Sequence, residues 1–287
     1  MIILVTGSTG FLGRWLVRAL RKKNHTVISY DLSEGCDILN KNQLETYCKN
    51  YKPDCIIHLA ACADLNIFRE KPNLSYQVNV IGTRNILRLC ERYNVRLLFA
   101  STCCCYGNNN EHPSDEISEI APTEPYAQSK VESEIDIISV GLPHCCMRLA
   151  TFYGPEMRSA LAPAIFLDRA HHEKPIQIHG TGKQSRTFTY IDDIVSGIIT
   201  IVETEPKYIV INVTTEEMTT VLALVEIAKK ITGNNVRLQY VPDRYGQILK
   251  ENIRSRRLQS LGWKPKTTFI NGMKKSYQYY LDNGAIW

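Results

Sequence analysis

A tyrosine and a lysine four residues apart are the first pair in this chain suited to chemistry. The segment PYAQSK carries Tyr126 and Lys130. On a helix that spacing puts both side chains on one face. A free phenol loses its proton near pH ~10, and a nearby ammonium favours the phenolate. Such a tyrosine can take a proton from a sugar hydroxyl while hydride leaves the same carbon. Upstream, VRLLFAST ends in Ser101 and Thr102. The carboxyl end of a parallel strand is where open α/β sheets bind ligands. The Thr102 hydroxyl is therefore placed to donate to the reacting oxygen and relay a proton, with Ser101 as its neighbour or support.

Hydride needs an acceptor, and the chain opens on a loop built for one. TGSTGFLG comprises Thr6, Gly7, Ser8, Thr9, Gly10, Phe11, Leu12 and Gly13, between an apolar run and an amphipathic pattern. The first glycine permits a tight turn, the second lets backbone approach a pyrophosphate, and the third lets helix and strand pack closely. The helix N-terminus then offers its unpaired N–H groups to the phosphates. Asp31 follows the next strand, about 20 residues on, where an acid accepts hydrogen bonds from the adenine ribose. An acid there repels a 2′-phosphate and favours NAD, whereas Arg14 and the basic residues 21–23 are the features that suit NADP. Asp37, in CDIL, is placed to meet the adenine amino group.

These residues need a scaffold. Apolar runs at 2–6, 26–30, 54–61, 95–101 and 143–149 read as strands. They alternate with helical patterns at 11–22, 41–50, 73–93 and from Tyr126 onward. Such alternation predicts an α/β fold with a parallel sheet covered on both faces. The expected architecture is a Rossmann-type doubly wound parallel sheet over residues 1–150, with 187–213 returning to it. Residues 151–287 then form mainly a smaller C-terminal α/β substrate domain, with helices near 219–231 and 267–281.

Taken in order, TGSTGFLG, KPDCIIHLAA, NVIGTRNIL, STCCCYG, PYAQSK, FYGPEM, GTGKQSRTFTYIDDI and LGWKP span nearly the whole chain. Together they resemble the extended short-chain dehydrogenases/reductases of the NAD-dependent nucleotide-sugar epimerase/dehydratase family. The resemblance implies that Leu59, Ala60 and Ala61 line the nicotinamide side, with Asn79 on a long helix beside them. It implies a nucleotide-diphosphate sugar, most simply UDP-linked, gripped by Arg186 and Arg244. It also implies a homodimer through helices 73–93 and 126–139. The resemblance has gaps. Relatives that eliminate water carry an acid after the active-site Ser/Thr, whereas this chain has Cys103 and Cys104. Thr151 replaces an asparagine that contacts the substrate's phosphate side. The expected activity is a 4-epimerase working through a transient 4-keto sugar. The alternative is a keto-sugar reductase, or a 3,5-epimerase/4-reductase, that uses Cys104 as a proton-exchanging thiol. A 4,6-dehydratase is disfavoured.

The bulk properties agree. The chain has 287 residues, 44% hydrophobic and 22% charged, with a net charge of +5. No basic–aromatic interleaving marks a nucleic-acid binder. No stretch approaches the ~18 apolar residues of a membrane span. Ten cysteines occur, none as Cys-x-x-Cys, so no metal site is expected. Most sit in apolar runs and read as small buried hydrophobes. The N-terminus lacks a charged leader, and reduced thiols suggest a cytoplasmic protein.

Overall fold

The computed structural model describes residues 1–108, 112–243 and 248–284. In chain order the elements begin β1 (Ile2–Thr6), α1 (Phe11–Lys22), β2 (Thr26–Tyr30), α2 (Lys41–Tyr51), β3 (Cys55–His58), α3 (Leu65–Glu70), α4 (Pro72–Tyr76), α5 (Gly82–Tyr93), β4 (Arg96–Thr102), α6 (Pro125–Ser139) and β5 (His144–Leu149). They continue β6 (Thr151–Tyr153), α7 (Ala162–His171), β7 (Ile176–His179), β8 (Ser185–Tyr190), α8 (Ile191–Thr204), β9 (Val210–Val213), β10 (Met218–Thr220), α9 (Val221–Thr232), β11 (Leu238–Val241), α10 (Arg256–Ser260) and α11 (Phe269–Asp282). No helix among the described residues is long and apolar enough to cross a membrane.

The chain divides into two compact units. The first holds Met1–Cys105, Glu124–Leu149 and Ile198–Ile211; the second holds Tyr106–Thr123, Ala150–Gly197 and Asn212–Trp287. A six-stranded sheet in the order β2-β1-β3-β4-β5-β9 organises the first unit. The pairs β1–β2, β1–β3, β3–β4 and β4–β5 are all parallel. Burial on both faces explains the unbroken apolar character of these strands: Leu4, Ile56, Leu97 and Phe99 join Ile86 and Cys90 of α5 in one core cluster. The register sets Thr6 beside His58 and His58 beside Phe99. The carboxyl ends of β1, β3 and β4 therefore lie together at one edge of the sheet.

The helix expected over 73–93 is present with a defect. α4 and α5 are joined through a wider π turn at Gln77–Ile81, centred on Asn79. Such turns release backbone carbonyls from the regular ladder.

The second unit contains a three-stranded sheet in the order β10-β8-β6 and a parallel pair, β11 and β7. β6 runs parallel to β8 and β10 antiparallel. Asp193 holds the chain entering α11, accepting from Lys266 N and Thr267 N at 2.8 and 3.0 Å. Of the stretch 187–213, Val210–Val213 pairs into the six-stranded sheet, whereas the residues up to Tyr190 lie in β8 of the three-stranded sheet.

Candidate functional site

The glycine loop joins β1 to α1 in the geometry its composition demands. Gly7 has φ +70°, and a Cβ there would lie 2.7 Å from Ala60 N. A Cβ on Gly13 would overlap Gly7 O. Neither position admits a side chain. Gly10 is the N-cap of α1, with no side-chain capping bond and no acid in the first turn. Uncapped N–H groups with no acid in the first turn suit an anion. Phe11 is half-buried, and Leu12 packs inward.

Asp31 is tied to this loop. Its carboxylate accepts from Thr9 N at 3.1 Å, from Ser33 N at 3.0 Å and from Ser33 Oγ at 2.9 Å. Burial pushes the carboxyl up, but these donors outweigh it and hold the group below its ordinary value. Asp31 therefore stays ionised and keeps its negative charge beside the glycine loop. Asp37, expected near an adenine, uses Oδ1 to accept from Leu39 N at 2.9 Å.

Across the rim, Leu59 N donates to Thr6 O and Ala60 N to Thr6 Oγ1. Asn79, expected among the cofactor contacts, lies in the π turn between α4 and α5. It is fully buried. Its Oδ1 accepts from Cys62 N, and its Nδ2 donates to Cys62 O and Ser129 Oγ. With the whole amide committed to the protein, Asn79 clamps the loop after Ala61 onto α6.

On α6, Tyr126 is half-buried and meets Phe68 edge-on at 6.0 Å between ring centroids. Its carbonyl accepts from Ser129 Oγ at 2.7 Å. One turn on, Lys130 is buried; its Nζ donates to Ala100 O at 2.9 Å and lies 4.7 Å from the Phe99 ring centre. Burial pulls its ammonium down to about 7, while the ring face and carbonyl offset part of that cost. Lys130 thus anchors α6 two residues before Thr102. The Thr102 hydroxyl accepts from Cys104 N at 3.2 Å, which directs its own proton elsewhere. Ser101 is buried beside it.

The three cysteines differ. Cys103 is buried and its thiol donates to Arg148 O at 3.2 Å, so it faces the sheet. Cys105 is also buried, and burial raises its thiol far above the ordinary value. Cys104 alone of the three is partly exposed. None of the ten cysteines is in a disulfide, and the described residues hold no metal-binding cluster.

In the second unit, Thr151 begins β6 and Arg186 lies on β8. The Arg186 guanidinium stands 3.7 Å from the carboxylate of Glu251. Sequence reading did not flag Glu251, which is buried and has one oxygen without a hydrogen bond. Arg244 lies outside the described residues.

The glycine cradle fits a dinucleotide, and two further observations agree. Ser8 Oγ in the loop and Ser101 Oγ at the end of β4 are buried without a partner, as expected where a ligand completes the hydrogen bonding. Sequence reading missed His58 and Thr83, both buried and polar. The signal was a lone imidazole inside the apolar run CIIHLAA.

Known proteins share this architecture. A family profile described as "NAD dependent epimerase/dehydratase family" matches residues 3–214. A putative UDP-glucose 4-epimerase of Methanocaldococcus jannaschii is 29% identical, covering 98% of this chain and 99% of its own. A bovine dTDP-D-glucose 4,6-dehydratase is 26% identical, covering 99% of this chain and 90% of its own. The crystal structure of UDP-glucose 4-epimerase from Thermotoga maritima, with UDP-glucose, superposes with a TM-score of 0.92 at 29% identity, covering 98% and 99% of the two chains.

Proposed function

Because the chain belongs to the NAD dependent epimerase/dehydratase family, we propose that it inverts C4 of a nucleotide-linked hexose, with a UDP-sugar as substrate. NAD, when bound, supplies the oxidant at C4 and the reductant that restores it. Gly7, Thr9, Gly10, Phe11, Leu12 and Gly13 hold its phosphates, Asp31 and Asp37 its adenosine, and Leu59, Ala60, Ala61 and Ser101 its nicotinamide end. Tyr126 takes the proton of the C4 hydroxyl and later returns it. Lys130 supports the phenolate and Thr102 donates to the C4 oxygen. Arg186, with Arg244, meets the pyrophosphate, and Thr151 lies on the substrate side. A keto sugar reduced on its opposite face is the C4 epimer.

One observation carries this choice over dehydration. No carboxylate follows Thr102; Cys103, Cys104 and Cys105 occupy the next three places. A departing hydroxyl needs a proton donor, and two of these thiols are buried. The partly exposed Cys104 supports a second reading, a keto-sugar reductase with proton exchange beside the ketone. Exposed Leu74, Tyr76, Ile135 and Ile138 on α4 and α6 favour a second copy of the chain as partner.

Replacing Tyr126 with Phe is expected to lower kcat by about 10²–10⁴-fold with NAD affinity unchanged. Turnover near the wild-type rate contradicts the assignment. Stoichiometric consumption of reduced nicotinamide with a 4-keto sugar supports the reductase instead.

A further inference from the structure

A chain of buried hydrogen bonds crosses the first unit behind the cofactor edge, and its protons can be assigned. Thr83 Oγ1 lies 2.6 Å from Asn79 O. Two oxygens that close need a proton between them, and a carbonyl has none. The single Thr83 proton is therefore committed to Asn79. His58 Nε2 lies 3.0 Å from the same Thr83 oxygen, which can now only accept. Nε2 must carry the hydrogen. A neutral imidazole then has a bare Nδ1, so Thr6 Oγ1, 2.7 Å away, donates to it. With its proton spent, Thr6 Oγ1 accepts the Ala60 N–H at 3.2 Å.

The imidazole has reason to stay neutral. His58 is fully buried. Its ring packs 5.8 Å from Phe99, and the Lys130 ammonium lies 4.7 Å from that same ring. A second cation here would be buried beside the first, and burial together with the Lys130 charge lowers the imidazole to about 3.

We propose that His58, fixed as its Nε2–H tautomer, is a positioning residue that orients the cofactor edge and the catalytic helix as one unit. On one side the chain ends at Ala60. On the other it reaches Asn79, whose carbonyl also receives Ser133 Oγ and whose amide holds Ser129, which in turn bonds Tyr126 O. The direction of the chain has a chemical consequence. The N–H groups of Leu59 and Ala60 both bond inward to Thr6, so neither is left to donate to a cofactor. That edge suits a donor such as a carboxamide NH₂ or a ribose hydroxyl. The inference rests on the reading of the glycine loop as an NAD site, but not on which sugar reacts.

The test begins with the cofactor-free protein. Histidine labelled with ¹⁵N is assigned to His58 by loss of its signal in His58→Gln. The expected spectrum shows a neutral ring protonated at Nε2 and unchanged between pH 8 and 5. A proton at Nδ1, or an imidazolium at pH 6, overturns the proposal without reference to activity. The second arm compares Thr83→Val with Thr83→Ser. Valine leaves the imidazole N–H unpaired, which is expected to weaken NAD binding on the order of tenfold and lower kcat, with the sugar KM unchanged. Serine restores both. NAD affinity unaltered in the valine variant, or no rescue by serine, overturns it. Absence of epimerisation with intact NAD binding counts against the proposed reaction, not against the relay.

Discussion

Each unit holds an arginine–glutamate pair, and the two are built differently. In the first, Arg148 on β5 grips Glu134 on α6. Its Nε lies 3.1 and 3.2 Å from the two carboxylate oxygens, and its terminal nitrogen 2.7 Å from one of them. In the second, Arg186 approaches Glu251 only to 3.7 Å. One Glu251 oxygen accepts from Thr187 at 3.0 Å and the other makes no hydrogen bond. The first pair is a closed fork that ties α6 to the sheet. The second is loosely made, and burial pushes the Glu251 carboxyl up to about 7 against the pull of Arg186 and Thr187. A charge held so weakly is one that a phosphate can compete for. The contrast separates an arginine fully committed to its partner from one that is not.

Breaking the closed pair has the largest expected effect. Glu134→Gln leaves Arg148 buried without its counter-charge, at a cost of about 3–5 kcal/mol. Urea or thermal unfolding measures it, and a loss under about 1 kcal/mol means the fork is not structural. The loose pair should respond in the opposite direction. A carboxyl raised in the folded state favours folding while protonated, and that advantage is lost as pH rises from its ordinary 4.5 to about 7. Above pH 7 the cost is about 3 kcal/mol. Glu251→Gln resembles the protonated acid, so it is expected to stabilise the protein by about 2–3 kcal/mol at pH 8 and by less than about 1 at pH 5. Equal effects at both pH values count against an ionised buried Glu251. The smallest effect is on binding. With Arg186 released from its partner, the same variant should bind a UDP-sugar a few-fold more tightly at pH 8 by calorimetry, about the size of one modest coupling. Weaker binding shows that Glu251 positions Arg186 instead of competing with the phosphate.

The glycine loop was legible because its function is carried by backbone. Gly7 and Gly13 stand where no side chain fits, and composition alone states that. The strands were legible from apolar runs that fill both faces of a parallel sheet. Tyr126 and Lys130 were found by spacing, yet the burial of Lys130 against Phe99 and Ala100 O was not, since it depends on which strand lies beneath α6. The partners of Asn79 were hidden for a related reason. A helix pattern gives its face but not the π turn that commits its amide to Cys62 and Ser129. Cys103 and Cys104 are adjacent and alike in sequence, and only the short turn after β4 sends one inward and leaves the other partly exposed. Glu251 has a polar partner 64 residues away and His58 has partners 25 and 52 residues away, distances no local pattern spans.

The central claim is that Tyr126 exchanges a proton at the C4 oxygen while the C4 hydrogen leaves and returns without meeting solvent. Proton NMR of the purified protein with NAD and a UDP-hexose in deuterated water tests it directly. The account predicts that the C4 epimer accumulates to equilibrium, carries protium at C4 and brings no net reduced nicotinamide. Deuterium in the sugar ring with loss of water, forming a 4-keto-6-deoxy product, contradicts it.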